Sequence, residues 1–150
     1  MMTQTRPTEL HQRRILMTRK PAAAAESRGQ VRAVIRAWGI PVDPDIAVLL
    51  TSDLVTHAVI HWNSATITLA VRCSHDQLRV DVYDTSLPLP MAVDEQAINE
   101  TRPGLALVAT LATEWGSFLT FTGKAMYFAL AFQADWLRVR NFKPSNEGET

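Results

Sequence analysis

Three side chains in the stretch SDLVTHAVIHW (residues 52–62) could act together: Asp53, His57 and His61 recur every four residues. On an α-helix that spacing lines them along one face, a turn apart. A carboxylate and two imidazoles in a row suit a metal ion. Two histidines at i, i+4 are also the spacing of helix-borne zinc hydrolases. In those enzymes the residue after the first histidine is a glutamate base. Here it is Ala58, and no second cluster of His, Cys or Glu offers an obvious third ligand. The same spacing also fits side chains that only line a helix.

Three further places carry candidate chemistry. Asp84 closes an alternating run and precedes the Pro-containing stretch TSLPLP. It can accept hydrogen bonds from a ligand, or simply start a turn. In TRPGL (residues 101–105), Gly104 and Leu105 stand where an apolar helix opens. Free N–H groups and the helix dipole favour an anion at such a point, and Arg102 adds positive charge. In TGK (residues 122–124), Gly123 suits a hairpin turn with positive φ, and Lys124 follows as a candidate ligand contact.

The elements that must position these residues can be read from periodicity. The segment from Arg14 to Thr18 reads as a short edge strand after a loose, polar N-terminal segment over 1–13. Pro21 and a run of alanines open a helix, Val31, Val34, Ile35 and Trp38 form its apolar stripe, and Gly39 stops it. Asp43 and Pro44 start a second helix, which runs to about His61. Its stripe is Ile46, Ala47, Leu50, Leu54 and Ala58, with Asp53, His57 and His61 on a neighbouring face. Residues 65–72 and 78–83 alternate as an antiparallel hairpin. A long acidic loop follows, to Pro103. Residues 104–112 form a third helix that ends at Trp115 and Gly116, and residues 117–121 and 125–132 form a last hairpin. A short helix over 135–140 and a polar tail complete a C-terminal segment of 134–150. One domain over 14–133 results. Its expected architecture is α/β, a two-layer sandwich with a mixed, mostly antiparallel sheet covered on one face by helices.

Composition narrows the function classes. The 150 residues hold 15 Lys plus Arg against 15 Asp plus Glu, a formal net charge of zero that gives no support for general nucleic-acid or membrane binding. The single cysteine, Cys73, rules out a disulfide within the chain and is simplest in a cytosolic (cytoplasmic) setting. No apolar run reaches the ~18–20 residues needed to span a bilayer. No GxGxxG follows a strand, and no Walker A sequence is present.

Taken in order, AVIRAWGIPVDPDIAVLLTSDLVTHAVIH, LRVDVYDTSLPLP, RPGLALVATLATEWG and GKAMYFAL resemble the small anti-sigma-factor type of ATP-binding domain common in actinobacteria. That family belongs to the wider histidine-kinase-like ATPases, and the resemblance covers about residues 14–133. It implies a cofactor, ATP with Mg²⁺, and partners that are a sigma factor or an anti-anti-sigma protein. It also implies a homodimer through the first helix and N-terminal strand. By position, Asp53 stands where the family has its catalytic Glu, His57 where it has the Asn that holds Mg²⁺, and His61 at its common terminal His. Asp84 matches the Asp that reads the adenine amino group. Arg102, Gly104 and Leu105 fall where the phosphate helix opens, and Lys124 and Ala125 where Gly-Lys-Thr is common.

The departures define the expected function. Asp is one methylene shorter than Glu, and a displacement of about 1 Å can cost ~10²-fold in rate. Mg²⁺ takes oxygen ligands, which makes His57 a poor replacement for Asn. Pro103 removes an N–H from the phosphate loop, and Ala125 lacks the hydroxyl of Thr. The expectation is a regulatory protein that binds a protein partner and carries a degenerate ATP site. The alternatives are an active ATP-dependent serine/threonine kinase and, further off, a zinc hydrolase.

Overall fold

The computed structural model describes residues 9–84, 92–94, 105–120 and 123–133. In chain order these form β1 (Glu9–Thr18), α1 (Ala22–Trp38), α2 (Pro44–His61), β2 (Thr66–Ser74), β3 (Gln77–Asp84), β4 (Ala92–Asp94), α3 (Ala106–Leu111), β5 (Glu114–Thr120) and β6 (Lys124–Ala131). The strands make one sheet in the order β1-β2-β3-β6-β5-β4.

Local chemistry accounts for the helix ends. Gly39 adopts φ 64°, the left-handed conformation that releases the chain from α1, and its N–H bonds back to the last turn. At α2 the Asp43 side chain accepts the Asp45 N–H at 2.9 Å, and Pro44 occupies the first turn. The other end of α2 is held by the residue that follows β1: Arg19 donates to the carbonyls of Ser64 and Val59, the latter at 2.6 Å. Carbonyls in a last turn have no intrahelical partner, and a guanidinium there also favours the helix dipole.

One face of the sheet makes the main core. Met17, Ile67, Leu69, Val71, Leu78, Val80, Val82, Met126, Phe128 and Leu130 cluster with Val31 and Val34 of α1, Leu50 and Leu54 of α2 and Val108 of α3. Two buried hydroxyls sit within this helical layer. Ser27 and Thr51 donate to the carbonyls of Ala23 and Ala47, four residues back, at 2.7 and 2.8 Å, which satisfies them internally.

The opposite face is built in cross-strand rows. One row runs Leu16, Thr68, Tyr83, Ala125, Phe118, and the next runs Arg14, Ala70, Asp81, Tyr127, Gly116. Asp81 is fully buried although, among the described residues, no helix covers this face. Arg79 grips its carboxylate with two nitrogens (2.9 and 3.0 Å), and Arg72 adds a third bond at 3.1 Å. The Arg79 guanidinium also lies 3.9 Å from the centre of the Tyr127 ring. Gly116 leaves room beside that ring: a Cβ there would come within 3.2 Å of Tyr127.

The structure corrects several expectations. Every strand pairing is antiparallel, including the non-sequential β3–β6 pair, so the sheet is not mixed among the described residues. β1 begins at Glu9, within the segment read as loose over 1–13. An edge strand with His11, Gln12, Arg13 and Arg14 exposed need not alternate in hydrophobicity. The long loop contains β4, which pairs with β5. Trp115 and Gly116 belong to β5 and do not end α3, which stops where Ala112 turns extended (φ −82°, ψ 150°). Residues 135–140 lie outside the described residues.

Asp81 anchors the open face, because removing it leaves two guanidiniums with no counter-charge between them. Asp81→Ala is expected to lower the unfolding free energy by about 2–3 kcal/mol, below the full cost of breaking a buried pair because both arginines reach solvent. Urea denaturation measures this, and a loss under about 0.5 kcal/mol would contradict the role.

Candidate functional site

The rotation of α2 decides what its polar residues meet. Ala47, Leu50, Thr51, Leu54, Val55 and Ala58 are buried, which carries Asp53 and His57 to the border of the core and leaves His61 exposed. The His57 and His61 rings lie 4.5 Å apart, tilted by 43°. One oxygen of Asp53 (Oδ2) and one nitrogen of His57 (Nδ1) are shut off from solvent with no hydrogen-bond partner. Unpaired buried polar atoms of this kind are rare in native proteins and mark places where a ligand, water or ion can be taken up.

Electrostatics follow from the same placement. Burial pushes the Asp53 carboxyl above its ordinary value. Burial, then the neighbouring His61 and Lys124, hold His57 below the ordinary imidazole value, so it is neutral at pH 7. Lys124 therefore acts on His57 across the two layers, from the first residue of β6.

Asp84 ends the adjacent strand. It lies opposite Ile67 on the helix-covered side, and Tyr83 pairs with Ala125, which puts Asp84 and Lys124 at the same end of neighbouring strands. Gly123 closes on it: a Cβ at Gly123 would sit 2.8 Å from the Asp84 carbonyl oxygen and 3.3 Å from its carboxylate. The glycine is thus required for space and not for turn conformation, since Gly39 is the positive-φ glycine among the described residues. The sequence names Gly123 only as a turn residue; its contact with Asp84 depends on the β3–β6 pairing, which joins strands distant in the chain.

Four residues singled out from the sequence, Asp53, His57, Asp84 and Lys124, thus lie at the α2 face and the adjoining ends of β3 and β6. Leu105 is placed elsewhere: its side chain is fully buried in the core just before α3. Arg102 and Gly104 lie outside the described residues. Among the described residues no three of His, Cys, Asp and Glu come together to hold a metal ion. None of the described helices is long and apolar enough to cross a membrane. No family model matches the chain, and no curated protein matches it.

Two outcomes are expected. In an NMR pH titration His57 should lose its proton below the ordinary imidazole value, and Lys124→Gln should move that titration upward by removing a positive neighbour. Because the unfolded chain binds this proton more readily, stability should fall as pH drops below the unfolded imidazole value, and less steeply in Lys124→Gln. A downward or absent shift would contradict the proximity. Gly123→Ala should displace the end of β3, visible as amide shifts at Tyr83 and Asp84. Unchanged shifts there would show that the turn has room.

Proposed function

We propose that this chain is a regulatory protein of the anti-sigma-factor type, which binds a protein partner and retains an altered nucleotide pocket. The observation that carries the reading is His57. It is a half-buried, neutral imidazole with an unpartnered nitrogen at the position where the resemblance requires an oxygen ligand for Mg²⁺. Mg²⁺ demands oxygen ligands in near-octahedral geometry. Among the described residues the α2 face offers it one carboxylate, Asp53, whose charged form burial disfavours, and one ring nitrogen. This donor set does not fit Mg²⁺, and no phosphoryl-transfer step follows from it.

The adenine end is less altered. Asp84 sits half-buried at its strand end with Gly123 packed against it, which supports a retained hydrogen-bond acceptor for an amino group. Nucleotide would be held weakly, through the base. On this reading the partner is a sigma factor or an anti-anti-sigma protein, and pairing of two copies through α1 and the N-terminal strand forms part of the same proposal.

Restoring the family's residues tests it. The double variant Asp53→Glu/His57→Asn should bind Mg-ATP at least tenfold more tightly than the native chain in isothermal titration. The native chain should transfer no γ-phosphate to a serine or threonine of a partner. Transfer by the native chain would overturn the proposal in favour of an active kinase.

A further inference from the structure

β1 lies at the edge of the sheet, and among the described residues no strand pairs with its outer side. It is ten residues long, well above the short edge strands that proteins use to discourage further pairing. The Arg19 N–H bonds to the Ala65 carbonyl at 2.9 Å, which fixes which residues face β2. By the two-residue period, Gln12, Arg14 and Leu16 direct their N–H and C=O groups away from the sheet. The side chain of Leu16 is 67% exposed on the face opposite the helices.

The edge is also basic. After Glu9 it carries His11, Arg13 and Arg14 with no acidic residue, and Arg19 and Lys20 follow. Among the described residues Arg13 meets the amide oxygen of Gln30 at 3.3 Å, and Arg14 lies over the Tyr83 ring at 5.5 Å. Neither has a carboxylate within ion-pair distance among the described residues. A second copy paired edge to edge is the wrong occupant, whatever the faces of α1 and β1 pack against. Antiparallel registers that pair nearly the whole strand set Arg13 opposite Arg13 or Arg14 opposite Arg14, and like charges directly opposite destabilise a sheet.

We propose that the outer edge of β1 is a docking site for an acidic extended segment of a partner protein, added as a seventh strand. Main-chain bonds to Gln12, Arg14 and Leu16 would hold it. Carboxylates on its two faces would meet Arg13 and Arg14, and a small apolar side chain would cover Leu16. The site rests on the proposed function only in supposing a protein partner. It shares no residue with the nucleotide pocket, so a failed peptide titration and a failed nucleotide titration are separate results.

Two capped octapeptides, alternating Glu-Thr and alternating Lys-Thr, test the edge against the full chain. The Glu peptide should bind at least tenfold more tightly than the Lys peptide and weaken with salt. It should slow amide hydrogen exchange at Gln12, Arg14 and Leu16. Arg13→Glu/Arg14→Glu should reverse the preference. Leu16→Pro, which removes an outward N–H and keeps the bonds to β2, should abolish binding while circular dichroism stays native. No binding, equal binding of both peptides, or protection confined to other strands would overturn the proposal. So would tighter binding of a single-stranded oligonucleotide of equal charge, or concentration-dependent self-protection of the same amides.

Discussion

The burial of α2 is the constraint on which the remaining structure depends. Its apolar positions form a wide band, and Leu50, Leu54 and Ala58 have no exposure at all. Turning the helix by one residue, about 100°, would drive a carboxylate or an imidazole into the core, where an unpaired charge is costly. The rotation is therefore set by the sheet, and Asp53 and His57 take the border position that follows. Arg19 secures the helix end, and the cap at Asp43 secures its start. The burial that shifts Asp53 and His57 descends from that placement.

The two faces of the sheet solve opposite problems. The helix-covered face is a conventional apolar core. The other face has no covering layer among the described residues, yet buries a carboxylate completely between Arg72 and Arg79, the latter lying over the Tyr127 ring. Long arginine stems cover apolar surface while their charged heads meet Asp81. The face so made continues through Arg14 and Leu16 to the edge of β1, where among the described residues the same kind of side chain has no carboxylate to meet.

Much of this was legible in the sequence, for local reasons. Pro21, Gly39, Asp43 and Pro44 act through backbone geometry and capping, which depend on near neighbours, and both long helices fall where those residues put them. Alternation in 65–72 and 78–83 reports burial on one side, and the β2–β3 hairpin follows. What escaped depends on distant pairing. β1 hides its strand character because an edge exposes both kinds of side chain. Trp115 and Gly116 mimic a helix stop because Gly116 is needed opposite Tyr127, a contact made across β5 and β6. In the site, the Asp53–His57 stripe was visible as periodicity on one helix. The action of Lys124 on His57 and the closure of Gly123 on Asp84 arise only when β6 comes to lie beside β3.

We propose that His57 has cost the pocket a place for Mg²⁺ while the base-reading end persists. The most direct measurement is the affinity for ATP in excess Mg²⁺ against the affinity in excess EDTA, with adenosine as a phosphate-free reference. ATP is expected to bind equally weakly in both conditions and within about threefold of adenosine. ATP binding that tightens tenfold or more with Mg²⁺, and exceeds adenosine by as much, would contradict it.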